Sequence, residues 1–169
     1  MRFMCKSYLF KILSITLFIS LFSNIVFAVN VPSASNNQNA SKEQQKKVMQ
    51  KTFGMIKPSG MAHSAEIKSI IASYGLKIIK SKKIVMTEKK LNKLYFMHKN
   101  KPFYDELKNS LLNKEVEVMV LYGNNAVRTY RNAVEDIRSK YAINKTENAV
   151  HGADGWQRAH EEICIFFDC

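Results

Sequence analysis

Cysteine and acidic residues are scarce in this chain of 169 residues, which has three Cys, and 14 Asp and Glu against 26 Lys and Arg. Cys5 lies near the start, leaving Cys164 and Cys169 for the rest of the chain. Two cysteines do not make the disulfide scaffold of a small secreted domain. They can bridge each other or stay free, and two free thiols are expected. No second long apolar run follows residue 28, which excludes a polytopic membrane protein. There is no GxxxxGK loop, so a P-loop nucleotide site is not expected. The sequence also lacks internal repeats and any clustered basic motif interleaved with aromatics, so nucleic acid is not expected as a main partner. At 46% hydrophobic residues the chain is too apolar to be wholly disordered, and its length fits one domain, not a multi-domain enzyme.

The apolar residues are unevenly spread. Arg2, Lys6 and Lys11 precede an uncharged stretch from Ile12 to Ala28, which is apolar at its centre and ends in Val26-Phe27-Ala28. That order reads as a secretory signal (residues 1–28) cut after Ala28. An uncleaved single-span anchor is the alternative, although Ser20, Ser23 and Asn24 weaken the run. Both readings export the folded part to a periplasmic or secreted location, and cleavage leaves no stable membrane span. Loss of the segment removes three basic residues and no acid, so the net charge of +12 falls to +9. Residues 29–50 are expected to be a flexible linker, polar and aperiodic to Ser41, with a helix start or solvated chain after it. Residues 51–169 are expected to form the domain.

Within the domain, Thr52–Ile56 is a short apolar strand candidate ending at Lys57-Pro58-Ser59-Gly60. Ile67, Ile70, Ile71 and Tyr74 predict a helix over residues 65–74, stopped by Gly75. Leu76–Met86 is β-rich and long enough for a central strand. Leu91, Leu94, Tyr95 and His98 repeat the helical spacing, and Phe103–Leu112 gives a further helix. Val116, Val118 and Val120 alternate with Glu117 and Met119, a strand running to Tyr122. A helix near Asn125–Glu135, a short strand at Ala149–His151 and a last helix capped by Asp154 complete the order. The plan is α+β: a ferredoxin-like split βαβ with an antiparallel four-stranded sheet and additional helices.

The stretch Asn148-Ala149-Val150-His151-Gly152-Ala153-Asp154 carries most of the chemical information. A His at a strand end, followed by Gly, can face a cleft, and Glu162 can return toward it from a helix to hold the ring. Lys57 at a strand end, with Arg131 and Arg138 expected to flank a short turn, can converge on a polyphosphate. Tyr95 adds a hydroxyl and Phe103 an aromatic face. Taken singly, each has a plainer reading: a structural His, a core Tyr, a Phe that staples a helix, arginines on a solvated face.

Lys57-Pro58-Ser59-Gly60, Lys101-Pro102-Phe103-Tyr104, Ile137-Arg138 and Asn148…His151-Gly152-Ala153-Asp154…Glu162 occur in the order found in the nucleoside diphosphate kinase family. From about Lys51 to Phe167 the chain resembles that family. The resemblance implies ping-pong transfer of the γ-phosphate of a nucleoside triphosphate to a nucleoside diphosphate through a phosphohistidine at His151. It implies that Lys57, Tyr95, Arg131 and Arg138 bind phosphates, that Phe103 stacks on the base, that Asn148 bonds the ribose and that Glu162 orients His151. His151, Glu162, Lys57 and Tyr95 would be the catalytic set. Mg²⁺ would be held mainly by the nucleotide's phosphates, with Asp154 near its water shell. A homo-oligomer, in the family a hexamer, is also implied.

Three departures qualify that expectation. The family usually has Ser where this chain has Ala153, which removes a hydroxyl able to bond the orienting carboxylate. Ser59 stands where the family commonly has Asp. Only six residues separate Arg131 from Arg138, where the family places a much longer loop that usually supplies a phosphate-binding Thr and subunit contacts. A more open cleft and a slower kinase are expected. The alternative is a catalytically weak or inactive exported module of the same fold that binds nucleotides or host partners.

Overall fold

The computed structural model describes residues 47–169, so the expected signal and most of the expected linker lie outside the described residues. Four strands, β1 (Met49–Ile56), β2 (Lys77–Val85), β3 (Glu115–Asn124) and β4 (Val150–Gly152), form one sheet in the order β2-β3-β1-β4. Every pairing is antiparallel. Among the described residues, five α-helices accompany them: α1 (Ser64–Ser73), α2 (Glu88–Leu94), α3 (Tyr104–Leu111), α4 (Ala126–Tyr141) and α5 (Trp156–Phe166). This is the ferredoxin-like α+β plan, with α2 and α3 as the additional helices between β2 and β3.

Both faces of the sheet are covered. Phe53, Met55, Val116, Val118 and Val120 pack with Leu91, Leu94, Leu107, Leu111 and Phe166, from α2, α3 and α5. Ile56, Met119 and Leu121 pack on the other face with Ile67 and Ile71 of α1 and Tyr130, Val134 and Ile137 of α4. The alternation along β3 therefore separates two cores, because helices screen both sides. Glu117, on the α1 side, is buried and meets Lys68 Nζ at 2.6 Å and Ser64 Oγ at 2.9 Å, with Ser81 also donating.

Two glycines set α4 against the strand that carries His151. Gly54 and Gly152 are direct partners across β1 and β4. A Cβ on either would come within 2.9 and 2.8 Å of the Tyr130 ring, respectively. The bare strands let that fully buried ring lie over them, and its hydroxyl donates to the His151 carbonyl at 3.3 Å.

Several expectations are corrected. The strand expected to be central, β2, is an edge: its length does not decide its place, and its lysines at 77, 80, 82 and 83 are exposed. β1 starts at Met49, inside the expected linker, because the chain from Met49 pairs with the end of β3. The helix over Leu91–His98 stops at Leu94, where Tyr95 leaves helical geometry, and a short 3₁₀ turn (Phe96–His98) follows. α4 runs on to Tyr141, so Arg131 and Arg138 do not flank a turn but stand seven residues, two turns, apart on one helix. No Gly or Pro interrupts that stretch, and Val134 and Ile137 keep its apolar stripe. Gly155, not Asp154, occupies the cap position of α5, with no side-chain cap. The cysteines expected to be free are bridged: α5 ends at Phe166, Phe167 is extended, and the Cys164 and Cys169 Cα atoms lie 5.4 Å apart.

Candidate active site

His151 lies in the middle of β4 opposite Met55, and the strand's alternation turns its ring toward the face covered by α2 and α5. The ring meets Tyr95 edge-on at 5.4 Å between centroids and tilts against Phe53 at 6.0 Å. Its Nε2 lies 2.9 Å from Glu162 Oε2. An ionised carboxylate only accepts, so that bond puts the proton on Nε2 and leaves Nδ1 with a free lone pair. The Glu162 side chain is 2% exposed and its other oxygen, Oε1, lies 3.2 Å from Arg158 Nε.

The residue before β4 is held in an unfavourable backbone state. Ala149 has φ 62°, in the left-handed region. Its carbonyl accepts from the Lys57 amide at 2.8 Å, and its own amide donates to Ser59 Oγ at 3.2 Å. Ser59, one of the departures noted above, thus pins the loop that delivers His151.

A cleft of about 570 Å³ opens beside the histidine. Lys57, Tyr95, Phe103, Arg131, Arg138, Asn148, Asp154 and Glu162 all line it, so the fold brings every candidate residue to one place. Lys57 is buried, and its Nζ donates to Asn148 Oδ1 at 2.7 Å and to the Thr146 carbonyl at 3.1 Å. Burial first, and then the Arg138 charge, bring its pKa down to about 7. Arg138 is anchored by the Val150 carbonyl, at 2.9 Å from Nη2, while Arg131 is exposed two turns earlier on α4. The Tyr95 hydroxyl is buried without a hydrogen-bond partner, and burial together with the Glu162 charge pushes its pKa up. Phe103 is 42% exposed at the outer end, with the His98 ring 5.6 Å away. Asn148 gives its oxygen to Lys57 and donates from Nδ2 to the Lys145 carbonyl at 2.8 Å. Asp154 is exposed.

A sequence profile described as Nucleoside diphosphate kinase matches residues 50–169. The chain belongs to the nucleoside diphosphate kinase family. Among curated proteins, the nucleoside diphosphate kinase of Saccharolobus islandicus is 37% identical over 133 residues, covering 72% of this chain and 96% of that one. The one from Wolbachia pipientis is 35% identical over 131 residues, covering 70% and 94%. Among solved structures, the Aquifex aeolicus nucleoside diphosphate kinase superposes with a TM-score of 0.66 at 26% identity, covering 72% of this chain and 96% of that chain. The Halobacterium salinarum enzyme in complex with CDP gives 0.65 at 29% identity, covering 72% and 90%. The chain is therefore an enzyme of this family, a nucleotide-binding phosphotransferase.

Kinases of this family generally work with a divalent cation. Among the described residues no cluster of three or more His, Cys, Asp or Glu could cage a metal ion. Glu162 is committed to His151 and Arg158, so Asp154 is the carboxylate of the cleft that remains exposed.

Among the cleft residues that escaped the sequence reading are Arg158, His98 and Thr146, whose carbonyl holds Lys57. Arg158 sits four residues before Glu162, a spacing that places an ion pair on one helical face and was readable. His98, three residues after Tyr95, was read only as part of a helical stripe. Among the described residues no helix is long and apolar enough to cross a membrane.

Proposed function

We propose that His151 Nδ1 is the nucleophile of a ping-pong nucleoside diphosphate kinase reaction carried out outside the cytoplasm. The observation that supports it is the 2.9 Å contact from Nε2 to a buried carboxylate, which leaves Nδ1 free beside a cationic cleft. The Nδ1 lone pair attacks the γ-phosphorus, the bond to the β-bridging oxygen breaks, and the nucleoside diphosphate leaves. A second nucleoside diphosphate then attacks the same phosphorus through a β-phosphate oxygen, and the N–P bond breaks. The proton stays on Nε2 throughout, and Glu162 balances the charge that grows on the ring.

Lys57, Arg131 and Arg138 hold the phosphates and offset their charge in transit. The unpartnered Tyr95 hydroxyl is a donor without an acceptor, and a phosphate oxygen would supply one. Phe103 stacks on the base, a contact that reads no base edge and suits broad nucleoside use. Asn148 steadies Lys57 and offers its amide to the ribose. Mg²⁺, when bound with the nucleotide, would neutralise phosphate charge, with Asp154 on its water shell. Turnover is slower than in family members with Ser in place of Ala153 and a long loop before Arg138, where here α4 runs through.

Export rests on the sequence of residues 1–28 and gains support from the Cys164–Cys169 bridge, since disulfides persist in oxidising compartments. A homo-oligomer is part of the same proposal. Incubating the chain with γ-labelled ATP should label His151, and His151→Ala should stay unlabelled; equal labelling of both would refute the assignment. A coupled assay of ATP plus a nucleoside diphosphate, with and without Mg²⁺, then separates a kinase from a nucleotide-binding module that does not turn over.

A further inference from the structure

Glu162 can hold one tautomer of His151 only if its carboxylate is itself fixed. The group is buried, and an oxygen left without a donor would turn the carboxylate toward any donor within reach. In this family a serine hydroxyl two residues after the histidine is available for that purpose. Here the position is Ala153, also buried, and it offers none. The partner that meets Oε1 is instead Arg158, one turn earlier on α5, whose Nε forms an ion pair with it at 3.2 Å.

Arg158 has three further attachments. Nη1 meets Glu161 Oε2 at 3.0 Å, and Nη2 donates to the Leu94 carbonyl. The guanidinium lies over the Phe96 ring, 5.0 Å from its centroid. Leu94 and Phe96 flank Tyr95, whose ring edges His151 and whose hydroxyl has no partner. One planar head therefore joins the helix carrying Glu162 to the segment carrying Tyr95. A lysine's single ammonium could not serve those directions together.

We infer that Arg158 is the positioning residue of this active site: where the absent serine would stand, its guanidinium fixes Glu162 through an ion pair and thereby holds His151 as its Nε2–H tautomer with Nδ1 free for phosphate. It acts through Glu162 and Tyr95 and leaves the reacting atoms to His151. The kinetic part of this role rests on the proposed phosphohistidine reaction; the tautomer part does not.

The two parts are tested together. Arg158→Met keeps the stem and removes the donors, and Ala153→Ser added to it restores a hydroxyl. Nitrogen-15 spectra of the imidazole should show a single Nε2–H form in the unsubstituted protein, a mixture of forms in Arg158→Met, and a single form again in the double variant. The rate of His151 labelling should fall about 10- to 100-fold in Arg158→Met, with the KM for nucleotide nearly unchanged, and recover most of that loss in the double variant. A single Nε2–H form in Arg158→Met, or no recovery with Ala153→Ser, overturns the inference, even if Arg158→Met melts at a lower temperature. If Arg158→Met does not fold, Arg158→Leu gives the same comparison, because it too offers no donor or charge to Glu162 or to the Leu94 carbonyl. If the unsubstituted protein is never labelled but the tautomer pattern holds, the phosphohistidine reading fails and the positioning role stands.

Discussion

Nucleotide binding should draw a proton onto Lys57. Its ammonium is buried, held by two neutral oxygens, and faces Arg138, so its pKa falls to about 7. At pH 8 such a lysine is about 90% neutral, against about 10% at pH 6. A polyphosphate seated between Lys57, Arg131 and Arg138 brings opposite charge close and returns the pKa toward its ordinary value near 10. Binding at pH 8 should then take up about 0.9 proton, at pH 6 about 0.1, and affinity should fall close to tenfold per pH unit above 8. Titration calorimetry in two buffers of different ionisation enthalpy reads the uptake directly. Lys57→Arg, which stays charged at every accessible pH, should abolish it. The nucleotide-free protein supplies an independent check. Between about pH 7 and 10.5 the unfolded chain keeps the Lys57 proton that the fold has lost, so stability rises with pH across that window. Below about pH 7 both states carry it and the contribution is flat. Equal proton uptake at pH 6 and 8, or uptake that survives in Lys57→Arg, would refute the reasoning.

Tyr95→Phe should separate stability from activity. Removing a buried hydroxyl without a partner should leave stability unchanged or raise it by about 1 kcal/mol, while phosphotransfer falls roughly tenfold; denaturant unfolding and a coupled assay measure the two. Gly152→Ala drives a methyl group to 2.8 Å from the Tyr130 ring and should cost about 1–3 kcal/mol, read as a lowered thermal midpoint. Reducing the Cys164–Cys169 bridge, or Cys164→Ser, opens a short loop worth about 2 kcal/mol and should lower the midpoint without changing how Lys57 binds phosphate.

Much of the site was legible because its parts are short local signals. A strand closed by Lys57-Pro58, and a His-Gly pair in the next-to-last element, place these groups in or beside short strands whatever the rest of the chain does. Tyr95 was readable as a member of an apolar stripe; that its hydroxyl ends without a partner was not, since this depends on what packs around it from α5 and β4. The segment between Arg131 and Arg138 misled in the opposite way. Its brevity was read as a shortened loop, whereas residues that carry no breaker and keep a helical stripe continue α4 to Tyr141. Ala153 was legible as a missing hydroxyl, but the group that holds Glu162 in its place, the Arg158 guanidinium, came from another turn of α5.

The sequence by itself determined the α+β plan of the fold, the family and many of the residues that meet in the cleft, because hydrophobic period, strand-end motifs and their order are properties of the chain alone. Tertiary structure decided which strand became an edge, how Gly54 and Gly152 admit Tyr130, how far burial discharges Lys57, and which side chain holds Glu162. Those outcomes depend on distance and on exclusion from water. Both arise only when segments far apart in sequence pack together, as Lys57 and Asn148, or His151 and the helix that carries Glu162, do here.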